Sequence, residues 1–445
     1  MDSAATTLRR VRPSGLNRRI LAIAVPAILA NLTTVLPGLC DTAFIGRTGD
    51  AAEQAGVALG TTFAGLLLWA FGFLRMGTTG VTAQALGAGD PRALRQALTW
   101  ALALAVGFGG LLVLAAVPLQ ALALPLYGGG PVVQDFAARY FRLRLLAAPA
   151  DLALYAMMGW LIGLQRARAV FAIQLLLNSI NVAMCWLFVI ALDWGVLGVA
   201  LATVIAQTGT AVIAALACLR IATGLGAAPQ DPGADRFVLL KRLLFVNRDI
   251  FIRTLALMLV FNVFVHLSAG FEPALLAANQ ILLGFLAFIA NGLDGFAQSA
   301  ETLVGEAVGA RDRRRLGAVL RGNLFWSLGL AAAVTLLLAL TAPLLLPLFS
   351  SNAAVIAAAL RHYPWIAVSP LISVWCFLLD GVFIGATRGR ELRDGMLVSA
   401  ALALGAMVAG LALFGATGLW AALMLFFAVR AVPLALWYRR IPESL

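Results

Sequence analysis

The 445-residue chain is 62% hydrophobic and 12% charged, with a mean hydropathy of +0.96, whereas a soluble globule carries about a quarter charged residues. A water-soluble fold is excluded. With ~20 apolar residues needed for each membrane-crossing helix, the composition supports roughly a dozen crossings and no sizeable soluble domain beside them. The net charge of +12 comes from 32 basic residues against 20 acidic ones. The bases lie in short gaps between apolar runs and not in one patch, which points to membrane orientation and away from a nucleic-acid partner.

In chain order, Arg9, Arg10, Arg12, Arg18 and Arg19 precede an apolar run starting at Ile20. That run is too long for a signal-peptide core and has no small-residue cleavage site, so it reads as an uncleaved first helix with a cytoplasmic N-terminus. Apolar runs punctuated by Gly, Pro and Arg then predict spans near 20–45, 54–84, 94–118, 132–163, 169–192, 196–219, 238–270, 274–307, 317–346, 354–386, 394–414 and 418–438. An even number of spans returns the C-terminus to the cytoplasm, and on this topology most of the bases fall in inner loops, as the positive-inside rule requires. Arg75, Arg253 and Arg430 are exceptions that fall within spans.

Thr223–Arg236 is the long Pro/Gly/Asp-rich connection at mid-chain. It divides residues 1–222, an N-terminal lobe of spans one to six, from residues 237–445, a C-terminal lobe of spans seven to twelve, with 223–236 as a cytoplasmic linker. A repeat supports the cut. Gly159-Trp-Leu-Ile-Gly163 before Arg166 and Arg168 recurs as Gly381-Val-Phe-Ile-Gly385 before Arg388 and Arg390, an offset of 222 residues. The same offset carries Ala85, Gly87, Ala88, Asp90 and Arg92 onto Ala307, Gly309, Ala310, Asp312 and Arg314. Halves with an even number of spans share one topology, so the prediction is an all-α integral membrane protein whose two six-helix lobes are parallel repeats, with a site between them. The GxxxG pairs read as places where helices approach closely.

Cys40, Cys185, Cys218 and Cys376 lie singly in apolar stretches, and the only histidines are His266 and His362. HExxH and GxSxG patterns are absent. No metal, no cofactor and no enzyme activity are expected.

Five acids lie within apolar spans: Asp41, Asp151, Asp294, Glu301 and Asp380. Each costs ~2.5–3.5 kcal/mol at the centre of a membrane helix and so marks a functional interior or an ion pair. On span one, Asn31, Thr34, Gly38 and Asp41 share a helical face, and Pro26 and Pro37 each remove a backbone hydrogen bond and permit a bend. Asn291, Asp294, Gln298, Glu301 and Gly305 share a face of span eight, which describes a wall of a wet cavity. Arg253 on span seven is a candidate partner for Glu301 or Asp380, with a local Asp249–Arg253 pair as the alternative. Asp151, near three arginines, reads as a structural ion pair. Asn178 and Met157 are assigned to the substrate cavity, although methionine in an apolar helix also packs cores.

At these residues the sequence resembles the multidrug and toxic compound extrusion (MATE) family and its DinF-like branch. The matching stretches are Pro37-Gly-Leu-Cys-Asp41-Thr-Ala-Phe-Ile-Gly46, Gly198-Val-Ala-Leu-Ala-Thr203-Val-Ile, Leu293-Asp294-Gly-Phe-Ala, Ala300-Glu301-Thr-Leu-Val-Gly305 and Asp380-Gly-Val-Phe-Ile-Gly385-Ala-Thr. The resemblance implies an antiporter exporting amphipathic, often cationic compounds in exchange for H⁺ or Na⁺. It implies protonation at Asp41, a bend of span one at Pro26, and a hydrogen-bond network that includes Asn181, Thr203 and Tyr140. Asp294, Glu301 and Asp380 match acids of the C-terminal cavity. The sequence departs from many relatives in following Asn181 with Cys185 where an acid stands, and in carrying Arg253 on span seven where Na⁺-coupled relatives embed a glutamate. A Na⁺ site needs several oxygen ligands and a proton site needs one carboxyl group, so the proton is the expected coupling ion.

The expectation is therefore a monomeric H⁺-coupled efflux antiporter of the bacterial inner membrane, with both termini cytoplasmic, whose partners are small amphipathic compounds and the bilayer. Na⁺-coupled efflux and a lipid-linked flippase of the same superfamily are the transport alternatives. A membrane assembly or scaffold protein is the non-transport one.

Overall fold

The structure is a computed structural model that describes residues 13–34, 44, 50–128, 130–226 and 237–443. Asp41, Pro37 and Gly38 on span one, together with 227–236 of the proposed linker, lie outside the described residues.

Every regular element among the described residues is helical. The N-terminal half contains α1 (Pro13–Thr33), α2 (Ala51–Ala70), α3 (Phe73–Gly87), α4 (Pro91–Leu114), α5 (Ala116–Ala123), α6 (Gly130–Leu145), α7 (Ala148–Gly163), α8 (Ala167–Cys185) and α9 (Gly195–Thr223). The C-terminal half contains α10 (Phe237–Ser268), α11 (Pro273–Gly309), α12 (Arg313–Leu345), α13 (Ala353–Gly385), α14 (Gly389–Trp437) and α15 (Arg440–Glu443). Among the described residues ten helical stretches are long and apolar enough to cross a membrane, and the α6–α7 pair, bent by 51°, makes eleven when counted as one span. Gly415, at φ 58° and ψ −137°, breaks α14. Taking that break as the turn between two crossings gives the twelve expected from the sequence. The 54–84 run is interrupted in the structure at Phe71–Gly72, between α2 and α3.

The 222-residue repeat is legible in the backbone. Gly89 and Arg311 both end a helix with positive φ (66° and 54°), as do Gln165 and Thr387 (63° and 53°), the left-handed cap that satisfies terminal carbonyls. Asp90 and Asp312 then cap the next helices: Asp90 accepts from the Arg92 and Ala93 amides at 2.9 and 3.0 Å, and Asp312 from the Arg315 amide at 2.9 Å. Non-glycine residues at positive φ are disfavoured, so their recurrence at one offset argues for duplication.

Helix contacts obey the same offset. A methyl group on Gly87 would lie 2.0 Å from the Glu306 carbonyl oxygen, and one on Gly309 would lie 2.0 Å from that of Gln84. The two contacts exchange under the repeat, because Gln84 and Glu306 are themselves equivalent. Within the lobes, Gly159 abuts the Arg75 carbonyl and Gly381 abuts the equivalent Ala297 carbonyl, at 2.4 and 2.2 Å from a built methyl. The GxxxG glycines therefore serve close helix approach.

One buried apolar cluster joins α2, α3, α4, α7 and α9 around Trp160, and a second joins α10, α11, α13 and α14 around Trp420. A third unites α1, α11, α12 and α13 around Ile20, Phe296 and Phe383. Helix α1 thus packs its first turns on the other half of the chain, while its far end reaches α8.

Candidate functional site: a charged cavity lined from both halves

A cavity of about 450 Å³ lies in the C-terminal half where Trp69, Arg75 and Met76 of the N-terminal half border it, walled by Trp69, Leu257, Phe261, Leu283, Leu286 and Phe427 and floored by charge. Its floor brings together Asp294, Glu301, Asp380, Arg75, Arg253 and Arg430. The upper wall offers apolar and aromatic surface and the floor offers ions, a combination suited to an amphipathic occupant.

The six charges are not equally engaged. Arg253 and Arg430 both donate to one oxygen of Asp380, Oδ2, and the Arg430 guanidinium lies 5.6 Å from the Phe377 ring centroid. This resolves the open pairing of Arg253 in favour of Asp380. Asp249 is held elsewhere, by Arg248 at 3.0 Å and Arg393 at 2.8 Å. Arg75, from the opposite half, stands 3.8 Å from Asp294 and 3.8 Å from Glu301, beyond hydrogen-bond reach of either. Its Nη1 and the Glu301 Oε1 are buried without hydrogen-bond partners.

Asp294 also ties α1 to the cavity. Its Oδ2 accepts from Gln298 Nε2 at 2.8 Å and from Asn31 Nδ2 at 3.3 Å. Asn31 further donates to the Asn291 carbonyl at 3.1 Å and accepts from Gln298 at 3.2 Å. The polar stripe expected on span eight is thus met by the first polar residue of the stripe on span one. Thr34 does not join it: the residue is exposed and its hydroxyl donates to the Asn31 carbonyl at 2.6 Å. Helix α1 runs unbroken through Pro26.

Below Glu301, about 8 Å further along α11 at 1.5 Å per residue, the halves are locked together. Glu306 accepts from Arg19 at 2.5 Å, Gln165 at 2.8 Å and Arg315 at 2.5 Å. Its repeat equivalent, Gln84, accepts from Arg242 and donates to the Gly385 carbonyl at 2.8 Å and the Thr387 hydroxyl at 3.2 Å. With the Gly87 and Gly309 contacts, these two clusters join the halves at the arginine-rich end of the molecule.

The family model MatE matches residues 26–187 and 250–409, one match in each half. The chain is also 38% identical to the DNA damage-inducible protein F of Escherichia coli strain K12, over 94% of this chain and 91% of that one. The protein belongs to the MATE family. It is 30% identical to a probable multidrug resistance protein NorM of Deinococcus radiodurans, over 91% of this chain and 90% of that one. Its fold matches the bent form of the Vibrio cholerae MATE transporter VcmN with a TM-score of 0.86 at 19% identity, covering 97% and 98% of the two chains. It likewise matches a MATE transporter described as in an outward-facing conformation, with a TM-score of 0.87 at 18% identity and 96% of each chain covered. As a MATE transporter, the chain is a multi-pass membrane protein for efflux of small organic compounds, and not an enzyme.

The residues assigned to the proton network of this MATE protein fall together in part. Asn181 Nδ2 donates to the Thr203 hydroxyl at 3.2 Å, and buried Tyr140 belongs to a small cluster with Val57, Val189, Val196, Val199 and Ala200. Besides Thr34, two more residues expected in a substrate cavity lie away from this one. Asn178 faces α1 and not the cavity, donating to the Thr33 carbonyl at 2.9 Å and accepting from Gln174 at 3.1 Å. Met157 is buried in the N-terminal core, the packing role open to any methionine in an apolar helix. Asp151 is the structural pair expected, held by both Arg144 nitrogens at 2.5 and 3.1 Å.

Arg75 and Arg430 were not among the expected site residues. The criterion that selected the acids applies equally to them, since an arginine within a span carries a comparable insertion cost.

Proposed function

We propose that the protein exports amphipathic compounds, cationic ones foremost, in exchange for protons by alternating access. The observation that carries this reading is the placement of a charged, aromatic-walled cavity directly above a sealed gate, with Asn31 linking its acids to the helix that leads on to Asp41. Asp294 and Glu301 share one distant arginine, so this side of the floor is electrostatically hungry for a cation, while Trp69, Phe261 and Phe427 receive an apolar body.

Under the positive-inside rule the sealed end is cytoplasmic, both termini lie in the cytoplasm of the bacterial inner membrane, and the state described faces outward. Proton entry from outside would neutralise Asp41, bend α1 at Pro26, pull Asn31 from Asp294 and expel the substrate. When a monovalent cation leaves as one proton enters, no net charge crosses, so the pH difference alone drives export: one pH unit supplies about 1.4 kcal/mol, which supports roughly a tenfold gradient. The proton is favoured over Na⁺ because a hard cation needs several free oxygen ligands, and Asp380 is already taken by two guanidinium groups.

Ion substitution in proteoliposomes tests this directly. An imposed pH gradient is expected to drive export of a cationic dye, and a Na⁺ gradient at equal pH is expected to drive none. Dye movement on the Na⁺ gradient alone would replace the proton with Na⁺, and movement on neither would remove the antiport reading.

A further inference from the structure

We propose that Arg75 is a tethered competitor for the substrate's positive charge. It occupies the place between Asp294 and Glu301 that a cationic amphiphile must take, and its displacement frees one lobe from the other. This rests on the reading above that the cavity binds cationic amphiphiles.

The geometry around Arg75 is that of a loosely seated ion. A guanidinium committed to a carboxylate approaches to about 2.7–2.9 Å and uses its paired N–H groups. Arg75 instead stands 3.8 Å from each of two carboxylates, with Nη1 and Glu301 Oε1 left without hydrogen-bond partners. It straddles both acids and commits to neither. Arg253 and Arg430, by contrast, converge on Asp380. The acids outside the Asp380 cluster are Asp294, whose Oδ2 accepts from Gln298 and Asn31, and Glu301, and Arg75 is the cation nearest to both.

The backbone and side chain of Arg75 play different parts. Its carbonyl accepts from the Thr79 hydroxyl at 2.9 Å and lies against Gly159, where no side chain fits, so the base of the arm is fixed to α7. Arg75 stands in the first turn of α3, where the helix dipole disfavours a cation. Its charge is thus compensated from across the lobe boundary by α11. A flexible arm on a fixed base can swing aside when a substrate cation makes the closer approach to the two acids. Because the arm belongs to one lobe and the acids to the other, occupancy of the cavity then removes an inter-lobe attraction.

The test is equilibrium binding of ethidium, by fluorescence anisotropy, to the full-length protein in phosphatidylcholine nanodiscs at fixed salt. Arg75→Gln is expected to bind ethidium about tenfold more tightly than wild type, the effect of removing one competing charge partly screened by water. Arg75→Lys, which keeps the charge, is expected to stay within about twofold of wild type on the same scale. Arg253→Gln removes a charge from the same cavity but leaves Asp380 paired with Arg430, and is expected to gain far less than Arg75→Gln. Equal affinity of Arg75→Gln and wild type overturns the competitor role while leaving cation binding intact. Equal gains from Arg75→Gln and Arg253→Gln also overturn it, by showing a general field in place of an occupied seat. Absence of ethidium binding in every variant overturns both this proposal and the cation reading beneath it. Should Arg75→Gln not fold, Arg75→Gln with Glu301→Gln removes both members of the buried pair. It must then bind ethidium more tightly than Glu301→Gln alone, and equality overturns the proposal.

Discussion

Gly309→Ala isolates one backbone contact between the halves, the one that the proposed cycle uses as its closed gate. The added methyl group would lie 2.0 Å from the Gln84 carbonyl oxygen and 2.7 Å from its carbon, against an ordinary contact distance of 3.4 Å or more. The obstacle is backbone, so α3 and α11 must part by about an ångström or more. Overpacking of this kind costs about 1–3 kcal/mol. Alanine returns up to about 1 kcal/mol through its higher helix propensity, and less than that at a helix end. The expected net loss is about 1–2 kcal/mol, borne by the sealed state because the contact exists only while the lobes touch there. Gly329→Ala on α12 is the control: nothing lies within 4 Å of its methyl, so only the propensity gain remains. Thermal unfolding of the detergent-solubilised protein and hydrogen–deuterium exchange at 84–90 and 306–312 read the two effects. Gly309→Ala should melt below wild type and exchange faster in both segments, whereas Gly329→Ala should melt at or above wild type with exchange unchanged. If the two variants melt alike and exchange at the gate does not rise, the backbone contact does not hold the gate shut.

Two further outcomes follow from the ion pairs. Asp380→Asn strands Arg253 and Arg430 in a buried site and is expected to cost about 3–5 kcal/mol of stability; a shift in the unfolding midpoint no larger than that of an exposed substitution would contradict the pairing. Glu306→Gln weakens charge-assisted bonds from Arg19 and Arg315 that are partly open to solvent, so the expected effect is smaller, about 1 kcal/mol. It should raise exchange at 306–312 more than Gln84→Ala raises it at 84–90, because Gln84 carries no charge. The reverse order would place the main lock on the other cluster.

The architecture was legible in the sequence because it depends on composition and spacing. Apolar run lengths set the crossings, and the 222-residue offset of Gly87, Asp90, Gly159 and Gly163 marked the positions where the two halves make equivalent contacts. The helix breaks were less legible: Phe71–Gly72 lies inside a run of continuous hydropathy, and the 51° bend falls where Gly130–Leu145, with Asp135, Arg139, Arg142 and Arg144, gives way to apolar Ala148–Gly163 within one expected span. For the site, helical periodicity identified Asn291, Asp294, Gln298 and Glu301 as one face. Periodicity cannot say which face of another helix lies opposite, so Asn178 and Met157 were assigned to a cavity they do not line. The same blindness hid Arg75, whose role exists only across the lobe boundary. It also hid Glu306, which sits near a loop, where an acid attracts no notice until Arg19, Gln165 and Arg315 converge on it.

The central claim is that a proton on Asp41 drives efflux, and the most direct measurement is dye export from proteoliposomes under an imposed pH gradient by wild type and by Asp41→Asn. Wild type should export dye and Asp41→Asn should lose gradient-driven export while still binding the dye in the C-terminal cavity. Export by Asp41→Asn at the wild-type rate would contradict the claim.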